Sequence, residues 1–177
     1  NNVSTQTNVA CFGGSTGSAT ITGFGGTTPY VYSWNTTPVQ NSATATALAA
    51  GTWTCTVSDA NGCNSTRTIS ITQPSAALSI SGTTQINVGC FGGSTGSATV
   101  TAANGTAPYS YSWNTIPGQS GSTANNLVAG TWSCTIIDAN GCSIAQNVSI
   151  TQPTATLSTS ISAQTNVGCY GSATGTA

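Results

Sequence analysis

A period of 79 residues governs this sequence: residues 7–74 align with 86–153 without a gap, and 43 of the 68 positions are identical. A fixed period of this kind means that one structural unit is built again and again, so a fold assigned to one copy must serve them all. The block from Cys11 to Thr20 returns unchanged as Cys90 to Thr99. Val9, Cys11, Trp34, Trp53, Cys55 and Cys63 each recur 79 positions later, and a third copy opens at Asn166-Val167-Gly168-Cys169. The organisation read from this is repeat 1 over 1–74 with its first strand missing or partial, a complete repeat 2 over 75–153, and the start of repeat 3 over 154–177. A window out of phase with its repeat, and without any Met, is expected of a segment from a long array in which any window is equivalent.

Within each copy the patterning is that of strands. Ser18-Ala19-Thr20-Ile21-Thr22 alternates small or apolar residues with polar ones, the period of a half-buried strand. Tyr30, Tyr32 and Trp34 share one face of the strand that follows Pro29, and Trp53, Cys55 and Val57 share one face of another. Asp59, Asn61 and Gly62, and their copies Asp138, Asn140 and Gly141, mark a tight turn, since Asp bonds nearby backbone while Asn and Gly accept positive φ. The returning strand buries Ile69 and Ile71 and ends at Gln73-Pro74. No window has a helical period. About seven short strands per copy, with turn signals every 8 to 12 residues, predict an all-β chain of tandem immunoglobulin-like β-sandwiches. Trp34, Trp53, Trp113 and Trp132 are the expected core tryptophans, joined by Tyr30 and Tyr32. The linkers around Pro74 and Pro153 are only a few residues long, so the array should be stiff. The segment Leu78–Ser81, apolar on one face, must lie against a sheet: its own repeat's by the simplest expectation, or a neighbouring chain's if strands are exchanged in a fibre.

Composition removes most function classes. Charged residues are 2% of the chain, namely Arg67, Asp59 and Asp138, against about 25% in an ordinary globular protein. One basic side chain cannot neutralise a phosphate backbone, which excludes nucleic acid as a partner. No apolar run approaches the roughly 20 residues of a membrane span, so no membrane insertion is expected, and no leader is visible. Four Trp and five Tyr argue against disorder. The chain is expected not to be an enzyme: it has no His, Lys or Glu to act as acid, base or activator, and its two Asp are one position in successive copies rather than a dyad. No catalytic, cofactor-binding or metal-binding residue is assigned. A Ca²⁺ site needs six to eight oxygen ligands, several of them carboxylates, and one acid per repeat cannot supply it.

Cysteine is the residue type left with chemistry. Each copy has three: Cys11, Cys55 and Cys63, then Cys90, Cys134 and Cys142, with Cys169 opening the third. The Cys55–Cys63 spacing spans a hairpin and there is no CxxC motif, which makes zinc improbable. A domain this small gains from disulfide staples, and an exported chain keeps them. In a sandwich, Cys11 and Cys63 fall at opposite ends, and in a head-to-tail array the end bearing Cys11 faces the turn of the next repeat, which bears Cys142.

The ordered motifs Cys-x-Gly-Gly, Gly-Ser-Ala-Thr, Pro-Tyr-x-Tyr-Ser-Trp, Ala-Gly-Thr-Trp and Asp-Ala-Asn-Gly-Cys, in two copies, resemble the SprB repeat of giant surface adhesins of gliding Bacteroidota. The resemblance implies an extracellular, cell-surface filament, exported by the type IX route and used for attachment, gliding or prey capture. A secreted matrix or sheath protein, or a glycan-binding module, are the alternative functions. Trp53 stands where the family more often has Tyr, and Cys55 where it more often has Val. Co-occurrence in the family implies Cys11–Cys63 and Cys90–Cys142 as disulfides, and this is the preferred assignment against the head-to-tail one. With so little charge to keep copies apart, several chains are expected to run side by side as a homo-oligomeric parallel fibre, reaching other cells or surfaces through the full-length protein.

Overall fold

The computed structural model of the chain describes residues 1–166 together with 168, 170, 171, 173 and 175. The chain is all-β, with no helix among the described residues. Its strands are β1 (Asn2–Thr7), β2 (Gly17–Thr22), β3 (Val31–Trp34), β4 (Thr44–Leu48), β5 (Gly51–Ser58), β6 (Asn64–Ile71), β7 (Ser79–Ile86), β8 (Gly96–Ala103), β9 (Ser110–Trp113), β10 (Thr123–Leu127), β11 (Gly130–Ile137) and β12 (Ser143–Ile150). Every pairing is antiparallel. In repeat 1 the sheet β1-β2-β4 faces β3-β5-β6, and in repeat 2 the sheet β7-β8-β10 faces β9-β11-β12.

This order is the A-B-E and C-F-G arrangement of an immunoglobulin-type sandwich with its D strand absent. Six strands therefore stand where about seven were predicted. The missing one falls between β3 and β4, where the loop satisfies its own backbone. The Thr36 hydroxyl accepts the Gln40 N–H at 3.0 Å, and the Gln40 amide brackets the Thr46 backbone with two bonds of 2.9 Å. A segment whose donors and acceptors are already paired gains nothing from joining a sheet edge.

Each sandwich has its own core. Ile21, Trp34, Leu48, Cys55 and Ile71 fill the first; Val100, Trp113, Leu127, Cys134 and Ile136 fill the second. Trp34 and Trp113 are 1% and 3% exposed, and each indole N–H still finds a carbonyl, Ser42 at 2.9 Å and Gly121 at 3.0 Å. Trp53 and Trp132 are half-buried at the core margin. They donate back to Ala49 and Val128, four residues upstream, at 3.0 Å each. That is the job a tyrosine does at the start of strand F in immunoglobulin sandwiches, done here by an indole. Tyr30 and Tyr32 pack against the core, and the Tyr30 hydroxyl is held by the Gly25 carbonyl at 2.7 Å.

The opening strands lie on their own repeats, β1 against β2 and β7 against β8. Leu78 and Ile80 are half-buried against the core of repeat 2. Residues 154–164 carry no strand, and Leu157 and Ile161 are exposed. They are the counterparts of the β7 region, and the counterpart of β8 that would pair with them begins only at Gly175.

Because the cores are separate, Trp34→Ala should remove about 3–5 kcal/mol from repeat 1. Amide exchange should then accelerate through β2–β6 while β8–β12 keep their protection. Equal loss in both repeats would show a shared core instead.

Candidate functional site

The site is the joint between the repeats, and it is built from the two ends of each sandwich. The end where the chain leaves a repeat, here called the trailing end, carries the Asn8–Thr16 loop. That loop is tied to the outgoing strand: Val9 N–H donates to the Thr72 carbonyl at 2.9 Å, Thr72 N–H to Asn8 Oδ1 at 3.1 Å, and Gly13 N–H to Gln73 Oε1 at 2.8 Å. Cys11 is thus fixed beside the chain that enters the next repeat.

The opposite, leading end carries the β5–β6 turn in repeat 1 and the β11–β12 turn in repeat 2. In repeat 2, Asp138 Oδ1 accepts the Asn140 and Cys142 N–H groups at 2.9 Å each, and Oδ2 accepts Thr106 N–H at 2.9 Å from the loop before β9. Asp59 does the same for Asn61, Cys63 and Thr27 at 2.9, 2.8 and 3.0 Å. Only glycine fits beside the carboxylate: a Cβ on Gly26 or Gly105, both at positive φ, would stand 2.6 or 2.7 Å from Asp59 Oδ2 or Asp138 Oδ2. These donors set the acidity. The Thr27 N–H, followed by that of Cys63, holds the Asp59 carboxyl below its ordinary range. At Asp138, burial pushes the other way, and the Thr106, Cys142, Asn140 and Gly141 N–H groups together outweigh it.

The two ends meet through a covalent bond. Cys11 and Cys142 form a disulfide with Cα atoms 5.7 Å apart and 131 positions apart in sequence. Beside it, Asn140 Nδ2 donates to the Ala10 carbonyl at 3.0 Å and to Thr106 Oγ1 at 2.9 Å. This corrects the preferred assignment of Cys11–Cys63 and Cys90–Cys142. Cys11 and Cys63 are separated by the length of β6, eight residues or about 26 Å, while a disulfide spans Cα atoms no more than about 7 Å apart. Cys63 and Cys90 are exposed thiols. Cys55 and Cys134 are buried thiols on β5 and β11, and loss of solvent pushes both pKa values up. They are inert core groups rather than nucleophiles. Cys169 lies outside the described residues.

The rest of the joint is thin. Phe12, at the joint, is 48% exposed, and its copy Phe91, at the trailing end of repeat 2, is 47% exposed, so forming the joint buries no aromatic there. A cleft stays open between Cys11 and Phe12 on one side and Leu78 and Cys142 on the other. An interface with so little apolar burial would act as a hinge. The disulfide, acting in parallel with the Thr72–Leu78 linker, turns it into a two-point attachment.

Asp59, Asn61, Gly62, Asp138, Asn140 and Gly141 all lie in the turns that their spacing suggests. The sequence reading missed the tie from Asn140 to Ala10 and the clamp from Gln73 to Gly13. Their signal is present only as Asn61/Asn140 and Gln73/Gln152 recurring at the period, a pattern that a turn or a strand end explains equally well. Among described residues no cluster of His, Cys, Asp or Glu is placed to hold a metal.

The SprB repeat profile matches residues 3–38 and 82–118, one stretch in each sandwich. Each sandwich thus carries a stretch that is similar to the SprB repeat. No curated protein sequence matches the chain.

Since Cys142 of repeat 2 anchors Cys11 of repeat 1, unfolding repeat 1 alone leaves its chain closed into a loop on its neighbour. Cys142→Ser should therefore weaken repeat 1 by about 2–4 kcal/mol, read as faster amide exchange in β1–β6. No change in repeat 1 would show that the bond does not couple the two. A second expectation concerns pH. Both carboxyls titrate below their unfolded range of about 3.9, so their contribution is complete above it and is lost as pH falls toward the folded values. Denaturation midpoints should be flat from about pH 5 to 7, where the chain has no His to titrate, and should drop below about pH 4. A midpoint that rises on acidification would contradict this.

Proposed function

We propose that these SprB-type repeats form the shaft of a long extracellular filament or adhesin at the cell surface, used in attachment, gliding or prey capture. The observation that carries the reading is the Cys11–Cys142 bond between consecutive repeats. A binding module needs its disulfides within a domain; a bond from one domain to the next serves the line of domains. SprB repeats occur in surface proteins, which supports the location.

The bond matters mechanically because it changes which residues carry load. Tension entering before Cys11 passes across the disulfide to Cys142 and on through β12. The residues between them lie outside the load path, so β2–β6 and β7–β11 are shielded from direct pulling while β1 and β12 carry the tension. Thr-rich strand edges, with cross-strand contacts such as Thr20–Thr44 and Thr99–Thr123 at 2.8 Å, suit lateral packing of parallel copies into a fibre that depends little on salt. Dedicated sugar pockets are less well supported, since Tyr30 and Tyr109 spend their hydroxyls on their own loops at 2.7 and 2.6 Å.

Two measurements test this reading. Pulling the oxidised chain from its ends should release about 450 Å less contour than pulling the reduced chain, the length of the 131-position span at about 3.3–3.6 Å per residue. Equal release in both states would remove the load-bearing role. Immunogold labelling of intact producing cells should decorate surface filaments along their length. Label confined to the cell interior would end the shaft reading.

A further inference from the structure

The period separates exposed apolar residues that are incidental from one that is kept. Phe24, Val31, Val39, Ile116 and Ile137 are exposed, and their copies in the other repeat are Ala103, Ser110, Gly118, Thr37 and Ser58. Nothing in the array depends on those positions being apolar. Position 12 behaves differently. It is Phe12 in repeat 1, Phe91 in repeat 2 and Tyr170 in the third copy, where Gly93 and Ser94 have become Ser172 and Ala173. The exchange of Phe for Tyr, amid other changes, shows that a ring persists there rather than apolarity alone.

The fold does not use that ring. Phe12 packs in neither core, and it is 48% exposed with the repeats on both sides of its joint in place. The loop holds it out firmly. Ala10 N–H donates to Thr16 Oγ1 at 3.1 Å, Gly14 N–H to the Cys11 carbonyl at 3.0 Å and Gly13 N–H to Gln73 Oε1 at 2.8 Å. The disulfide pins the preceding residue to the next repeat. A ring fixed in this way loses little freedom when something binds to it. Phe12 forms a wall of the cleft at the joint, where Ala77 and Leu78 add apolar surface and the Gly141 backbone and Ser143 hydroxyl add polar groups. Among the described residues, no charged side chain lines this cleft. Asp138 has both oxygens taken by backbone N–H groups, and Arg67, the one basic side chain, lies on β6.

We propose that the cleft beside Phe12 is a lateral binding site for neutral glycans. A pyranose offers a face of C–H groups that stacks on the negative face of the ring, and hydroxyls that reach Ser143 and the Gly141 backbone. An apolar wall with a few polar groups is the usual make-up of a small-ligand site. The ligand is uncharged because a sulfate or carboxylate would give up its water and find no cation. A protein partner fits less well. A stable complex covers about 800 Å² on each side, whereas β12 beyond the cleft presents Ser143, Ala145 and Asn147 outward. One cleft of this size holds a sugar unit or two weakly, at about millimolar concentration. A line of such sites, one per joint, gains strength by avidity. The site deepens the shaft reading by making the flank of the filament adhesive. Its binding is measured on the soluble chain, so failure of either is distinguishable from failure of the other.

The test uses the full oxidised chain with ring-labelled phenylalanine, which reports on Phe12, Phe24 and Phe91 by NMR. The probes are maltohexaose, cellohexaose, mannohexaose and chitohexaose, with a heparin hexasaccharide as the charged counterpart. At least one neutral probe should shift the Phe12 ring and leave Phe24 in place, and the heparin fragment should shift neither. Saturation transfer to the bound sugar then compares variants. Phe12→Leu, which keeps the apolar bulk and removes the ring, should weaken binding about tenfold. Phe12→Tyr, the residue type of the third copy, should retain it. Mapping of Cys11–Cys142 in both variants shows that the joint is intact. A Phe12 ring that no neutral probe moves, an equal shift at Phe24, full affinity in Phe12→Leu or tighter binding of heparin would each overturn the proposal. So would acetyl-Leu-Phe-Leu amide acting at lower concentration than every sugar, which would make the cleft a protein contact.

Discussion

The carboxylate of Asp138 accepts backbone N–H groups from Thr106, Asn140 and Cys142, and the joint depends on that knot. It ties the loop before β9 to the β11–β12 turn, so that Cys142 and Asn140 project from a rigid tip. Without a fixed tip, a disulfide to Cys11 would join two loose loops and transmit no orientation. The chain has two acidic residues in all, and both perform this same task in successive repeats. Glycine at 26 and 105 is the complementary requirement, because any side chain there would occupy the space of the carboxylate oxygen.

The trailing end solves the same problem with neutral groups. Gln73 and Asn8, with their copies Gln152 and Asn87, clamp the Cys-x-Gly-Gly loop onto the outgoing strand. Uncharged side chains are sufficient because the bonds go to backbone N–H groups whose positions the sandwich already fixes. A chain nearly free of charge can therefore hold both halves of a joint in register through bonds to backbone N–H groups.

Two kinds of cysteine result from one period. Cys55 and Cys134 sit on the F-like strands opposite the core tryptophans, where immunoglobulin domains place one half of their inter-sheet bond. The strand that would carry the other half presents Ala19 and Ile21, or Ala98 and Val100, so the sulfur packs as a small apolar group. The cysteines at the ends remain for covalent work between domains. A sandwich with a filled core does not need an internal staple, and that releases its sulfur chemistry to the array.

How far the sequence alone reaches is clear from these same residues. Alternation in Ser18–Thr22 and in Trp53–Val57, the Asp-Ala-Asn-Gly turn and the 79-residue period determined an all-β repeat, its core tryptophans and the positions of its turns. Those are local signals, written in side-chain period and turn chemistry, and they survive without knowledge of the neighbours. The period also made Cys11 and Cys142 candidates for one another, yet it left Cys11–Cys63 standing as an equal or better choice. Which pair forms is a matter of distance between the two ends of a sandwich, and a strand's length enters that distance only once the sheets are assembled and stacked. The thin, polar character of the joint and the reach of Asn140 to Ala10 likewise belong to the tertiary structure. Each is a relation between residues tens to more than a hundred positions apart, for which the sequence carries no adjacent mark.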